Sequence, residues 1–141
     1  MSARSKARKR ALDVLYAAEV RGVSPQALLA EAPLAEGAAN TPPRLNPYVA
    51  TIVDGVVAHQ RRIDQLISQY SSGWALDRMP AVDRNVLRIG VFELLWAPDV
   101  PGPVVIDEAV ELVRSLSTDE SPAFVNGLLA RIYDLRPQLT G

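Results

Sequence analysis

The 141-residue chain contains no cysteine and a single histidine, His59. Without thiols there is no disulfide framework, no thiolate metal site and no cysteine nucleophile. One imidazole flanked by Arg61 and Arg62, with no spaced His or Cys partners, is read as a solvated or hydrogen-bonded helical side chain rather than a metal ligand or catalytic base. Long apolar runs are missing as well. No stretch approaches the roughly 20 apolar residues of a membrane span. The segment behind the basic start MSARSKARKR is broken by Asp13 and Glu19 and lacks a small-residue cleavage site, so it does not read as a signal peptide. Phosphate-cradling glycine loops, nucleophile elbows and dinucleotide fingerprints are absent too. The acidic trio Asp107, Glu108 and Glu111 reads as a solvated helix face. The expectation is a soluble cytoplasmic protein that is not an enzyme and that uses no cofactor and no metal.

What is present is a strong apolar fraction, 48% of residues, ample for a core at this length. The charge is unevenly placed. Arg4, Lys6, Arg8, Lys9 and Arg10 all fall in the first ten residues, leaving ten basic and sixteen acidic residues, a net −6, for the remainder. A segregated basic end on an acidic body points to nucleic acid in a way that the near-neutral total of −1 does not.

The apolar periodicity is helical nearly throughout, and strand alternation is absent. A first helix is expected over about 5–20, burying Ala7, Ala11, Val14, Leu15 and Ala18 and ending at Gly22. Ser24-Pro25 opens a short helix to about Ala32, and residues 33–47, with four prolines, form a loop. Asn46-Pro47 repeats the cap-plus-proline signature for a helix past Val57. A bend near His59 to Arg62 is expected before the apolar face resumes at Ile63, Leu66, Ile67 and Tyr70. Pro80 starts the strongest helix, ending near Ala97. PDVPGP at 98–103 is a rigid turn, 104–116 is helical, and Ser121-Pro122 caps a last helix that Arg136-Pro137 stops at Leu135. The fold class expected is all-α, with two helical halves, 1–73 and 74–141, packed into one compact domain. Gly55, Gly90 and Gly127 inside helices each cost about 1 kcal/mol relative to alanine, and close helix approach is the expected reason.

The basic end carries the functional reading. Cations at a helix start oppose the macrodipole by a few tenths of a kcal/mol each, so five of them there do nothing for stability. On a helical wheel Lys6, Lys9 and Tyr16 face away from the Ala11/Leu15/Ala18 stripe, with Arg8 and Arg10 on its flanks. Phosphate contacts plus an aromatic platform are what single-stranded RNA binding needs. The alternative is a frayed basic end that only solubilises the chain.

Five segments together resemble the NusB family along essentially the whole chain: RSKARKRALDVLY (4–16), HQRRIDQLI (59–67), WALDRMPAVDRNVLRIGVFELL (74–95), VPGPVVIDEAVELVRSLS (100–117) and SPAFVNGLLARI (121–132). The resemblance implies an all-α fold of two helical bundles. It also implies a transcription antitermination factor that binds boxA single-stranded RNA of ribosomal RNA leaders together with NusE, a small-subunit ribosomal protein, and joins the RNA polymerase antitermination complex to suppress premature termination. Carried onto this sequence, the RNA-binding residues are Arg4, Lys6, Arg8, Lys9, Arg10 and Tyr16, with Asp119, Glu120 and Phe124 near the RNA side. Asp83 falls where the family tends to carry an acidic residue tied to complex assembly. Lysine in place of arginine at several positions departs from the better bidentate phosphate binder, and Pro122 and Ala123 stand where some relatives carry basic or polar residues. Asn126 is expected to be a buried amide, and Glu93 a structural partner for a donor such as Arg88.

Two rival readings remain at this stage. One is a protein–protein adaptor that does not bind RNA itself. The other is an RNA-binding module related to the front of ribosomal RNA methyltransferases, which would call for catalytic cysteines and a cofactor glycine motif that this sequence lacks. Self-association into a homodimer is left open by the sequence.

Overall fold

The computed structural model describes residues 2–30 and 46–139. The expected end of the helix behind Ser24, and the loop over 33–45, lie outside them. Among the described residues there are helices and no strand: α1 (Ala3–Arg21), α2 (Pro47–Tyr70), α3 (Ala81–Trp96), α4 (Gly102–Leu116) and α5 (Ser121–Leu139). A helical stretch over 25–30 follows α1, and one 3-10 turn, Leu76–Arg78, precedes α3. The all-α expectation is therefore met. No described helix is long and apolar enough to cross a membrane.

Local chemistry sets the helix ends. Ser2 caps α1, its hydroxyl accepting from the Ser5 N–H at 3.0 Å, and Gly22 closes it at φ +67°, a left-handed turn that glycine enters without a Cβ penalty. Asn46 caps α2 through the Tyr48 N–H at 2.9 Å with Pro47 at its first position. The α2 helix runs unbroken through 59–62, against the expected bend. Val56 and Ile63, both fully buried, are seven residues apart, so two turns keep the apolar face in register. His59 lies in that interval and stacks on Trp96, centroids 4.0 Å apart and planes 8° off parallel.

At the other end of the chain the expected stop at Leu135 is also corrected. The α5 helix continues to Leu139 with Pro137 inside it. A proline removes one i to i−4 hydrogen bond, which matters least in a final turn, where few bonds remain to lose.

A continuous cluster of buried residues draws on all five helices, with Ile52, Ile63, Leu66, Leu87, Leu129 and Ile132 at 0% exposure. Each such side chain contributes about 1.5–3 kcal/mol over leaving it in water. The α3 helix lies at the centre, packing on the other four. Close approach explains two of the three interior glycines. A Cβ at Gly55 would stand 2.1 Å from the Phe92 ring, and one at Gly90 would stand 2.8 Å from Leu129. Gly127 does not fit that expectation, since nothing lies within 4 Å of where its Cβ would be.

Candidate nucleic-acid interface

The cations of α1 separate onto two faces. Arg4, Arg8, Ala11, Leu15 and Ala18 follow a four-three spacing that places them on the side turned to the body. Arg8, expected on the flank of an exposed collar, is instead 3% exposed. Its Nε and Nη2 donate to the two carboxylate oxygens of Glu93 at 2.7 and 2.9 Å, and its Nη1 donates to Glu108 at 3.0 Å. The Tyr48 hydroxyl donates to the same Glu93 carboxylate at 2.6 Å, and Ser5 donates to Glu108. Burial by itself would lower the Arg8 pKa, but the hydrogen bond to Glu93 and the charges of Glu93 and Glu108 outweigh it and leave the pKa raised. Burial, then the bond to Glu93, pushes the Tyr48 phenol well above its ordinary range.

Arg4 reaches Asp99 at 2.9 Å, lies 4.7 Å over the Tyr48 ring, and through its bond holds the Asp99 carboxyl below the usual range. Glu93 is thus a structural partner, as expected, but for Arg8. Arg88 pairs instead with Asp64, at 2.9 and 3.1 Å, and with Glu19. Glu108 is likewise no solvated helix residue, in contrast to Asp107 and Glu111, which are exposed.

The opposite face of α1 does turn to solvent. Lys6 is exposed, Lys9 pairs with Asp13 at 2.8 Å one turn on, Arg10 is half-buried, and Tyr16 is 41% exposed. An exposed i, i+4 ion pair is worth only about 0.3–0.5 kcal/mol, so Asp13 holds the Lys9 ammonium weakly. From Lys6 to Tyr16 the stripe extends about 15 Å along the helix.

The remaining predicted residues gather at the start of α3. Asp119 and Glu120 are exposed in the turn between α4 and α5. Phe124 is half-buried, set edge-on to Trp74 with centroids 4.7 Å apart, and lines a groove with Tyr70, Ser72, Gly127 and Arg131. The Arg131 guanidinium lies 5.3 Å over the Tyr70 ring. Apart from Phe124, these groove residues carry no site reading from sequence, because a tyrosine and an arginine sixty-one positions apart give no joint signal. Glu19, three residues beyond Tyr16, binds Arg84, so the tyrosine half of α1 leans toward this end and its cations toward the other.

Asp83, expected to face a partner, is 0% exposed. Its carboxylate accepts from the Ser117 hydroxyl at 2.6 Å and the Ser121 hydroxyl at 2.8 Å. It therefore presents no surface of its own, and what it touches is the turn that carries Asp119 and Glu120. Ser121 is the first residue of α5 rather than a cap before it, and its hydroxyl accepts from the Thr118 N–H, three residues back. Asn126 is exposed rather than buried, because residues 126 and 127 fall on the outer side of α5, between buried Val125 and Leu128. No cluster of three or more His, Cys, Asp or Glu able to hold a metal occurs among the described residues.

Comparison with known proteins bears on this arrangement. The sequence model of the NusB family matches residues 5–134. The transcription antitermination protein NusB of a Nocardioides species is 63% identical over 139 residues, covering 99% of each chain. Among solved structures, T. maritima NusB superposes with a TM-score of 0.81 at 33% identity, covering 93% of this chain and 90% of that one. A NusB chain from a structure of antitermination factors NusB and NusE with double-stranded RNA gives 0.80 at 33% identity, covering 95% and 98%. The match runs through α1, the α3 helix with its two buried carboxylates and the α4–α5 turn alike, and the chain belongs to the NusB family.

Proposed function

We propose that this chain is an RNA-binding transcription antitermination factor. It binds boxA-containing single-stranded RNA of ribosomal RNA leaders jointly with NusE, and in the RNA polymerase antitermination complex it suppresses premature termination. The observation that carries the reading is the outward stripe of α1, where Lys6, Lys9 and Tyr16 share a solvent face on an otherwise acidic body. Lysines along one edge supply phosphate contacts, and an exposed tyrosine supplies a stacking surface. Arg4, Arg10, Asp119, Glu120 and Phe124 border that path in this reading, and Asp83 acts on assembly through the turn it holds. The relative solved with NusE and RNA supports the same partners for this chain.

A few cations give strongly salt-dependent but modest affinity alone. A basic ribosomal protein seated on the acidic body adds contacts, so RNA and NusE should each strengthen the other's binding by about 1–3 kcal/mol of reciprocal coupling. Titrating boxA RNA into the chain with and without NusE tests this. Equal affinities in the two titrations would remove cooperative assembly, and absence of RNA binding in both would leave a protein–protein adaptor.

A further inference from the structure

We propose that Arg8 is a positioning residue for RNA binding rather than one of its phosphate ligands: clamped between Glu93, Tyr48 and Glu108, it fixes the rotation and seat of α1 so that Lys6 and Lys9 face outward. The inference rests on the RNA-binding reading above and sets the buried Arg8 apart from the other four cations of the run, which are exposed or half-buried. Three nitrogens of the Arg8 guanidinium are already committed to two carboxylates. Reaching a phosphate would strip the countercharge from Glu93, itself 1% exposed, and a buried carboxylate without its partner is strongly unfavourable.

A buried ion pair adds little stability over a well-packed apolar pair of the same size. Its bidentate fork fixes the guanidinium plane against the carboxylate, and so fixes the rotation of α1, as the packed shape of large apolar side chains in the same space would also do. The other polar holds on this part of α1 are lighter, an exposed pair between Arg4 and Asp99 and a single hydroxyl bond from Ser5 to Glu108. Before Ala11 the only buried apolar side chain on the helix is Ala7, which offers no shape to resist rotation. Slipping the helix by one residue turns it by about 100°, enough to carry Lys6 and Lys9 off the solvent face. The Tyr48 hydroxyl holds the Glu93 carboxylate from α2, and Glu108 grips Arg8 from α4, so the anchor refers α1 to three other helices at once.

The test uses a boxA-containing single-stranded RNA oligonucleotide and three forms of the full chain: the parent, Arg8→Met, and the apolar replacement Arg8→Met/Tyr48→Phe/Glu93→Met. Affinity is measured across a salt series, and amide hydrogen exchange is followed over residues 4–10. In Arg8→Met, affinity should drop about tenfold because the competent seat of α1 is less populated. The slope of log affinity against log salt should stay at the parent value, and amides 4–10 should exchange faster. The triple variant removes the stranded carboxylate along with its partners. It should fold, protect those amides again and bind within about twofold of the parent. A phosphate ligand behaves differently: the triple variant would stay weakened, with its salt slope flattened by about 0.7. That result overturns the proposal, as does parent-like binding by Arg8→Met. Should the parent bind no RNA at all, the functional reading falls separately. Amide exchange then still decides the anchor, faster exchange in Arg8→Met upholding it and unchanged exchange removing it.

Discussion

The two ends of α3 each bury a carboxylate, and they satisfy it in different ways. Asp83, in the first turn, is held by the hydroxyls of Ser117 and Ser121, short neutral donors from the α4–α5 turn. Glu93, in the last turn, is held by a guanidinium and a phenol from α1 and α2. The helix macrodipole accounts for the contrast. Backbone N–H groups at a helix start favour a negative charge, so Asp83 needs only hydroxyls. Carbonyls at a helix end oppose one, so Glu93 needs a cation. Ten residues, about 15 Å along the helix, thus separate a neutral clasp on the acidic turn from a charged clasp on the basic helix.

Neutralising both carboxylates in the same way gives the sharpest test. Glu93→Gln leaves the buried Arg8 guanidinium with only Glu108 and should cost about 3–5 kcal/mol in urea unfolding. Asp83→Asn loses hydroxyl bonds to a charged acceptor and should cost about 1–3 kcal/mol. Equal costs would dismiss the argument from helix ends. Acid should act next. The Arg84 hydrogen bond, aided by Arg88, lowers the Glu19 pKa, and Arg4 lowers that of Asp99. Glu19, partly buried, therefore favours the folded state when ionised, whereas water screens the exposed Asp99 pair. The Glu19 contribution is complete above the unfolded value of about 4.3 and is lost as pH falls through the lower folded value. Urea midpoints should decline below about pH 4, and Glu19→Gln should remove part of the decline. The smallest effect belongs to Asp99→Asn. This residue is exposed in the turn after α3, and its pair with Arg4 is screened by water, so the thermal midpoint should not move measurably.

How much of this could be read from sequence varies with distance along the chain. The helices were legible because their signals are local: the Asn46 cap, Pro47, the left-handed Gly22 and apolar residues three and four apart. The α2 bend was misjudged because polar residues 59–62 were taken for an interruption, whereas a seven-residue step restores the face. On α1 the signal for Arg8 was present. Its spacing from Ala11, Leu15 and Ala18 is the spacing of the buried stripe, but five neighbouring cations suggested a single role. The partner was out of reach, because Glu93 lies eighty-five residues away. Asp83 was masked in a similar way: acidic residues in a first helical turn are ordinary on surfaces, and the serines that enclose it follow more than thirty positions later. Asn126 and Gly127 were misplaced by apolar neighbours, since Val125 and Leu128 point inward while the two between them point out.

The chain's two tryptophans fall one at each of these ends. Trp74, just before α3, meets the edge of Phe124, and Trp96, its last residue, stacks flat on His59. Each indole therefore sits in a distinct aromatic surrounding beside a different clasp. Replacing either with phenylalanine leaves a chain whose indole emission comes from one location. The molecule thus carries its own pair of optical labels, able to report whether the basic helix and the acidic turn loosen together or in sequence.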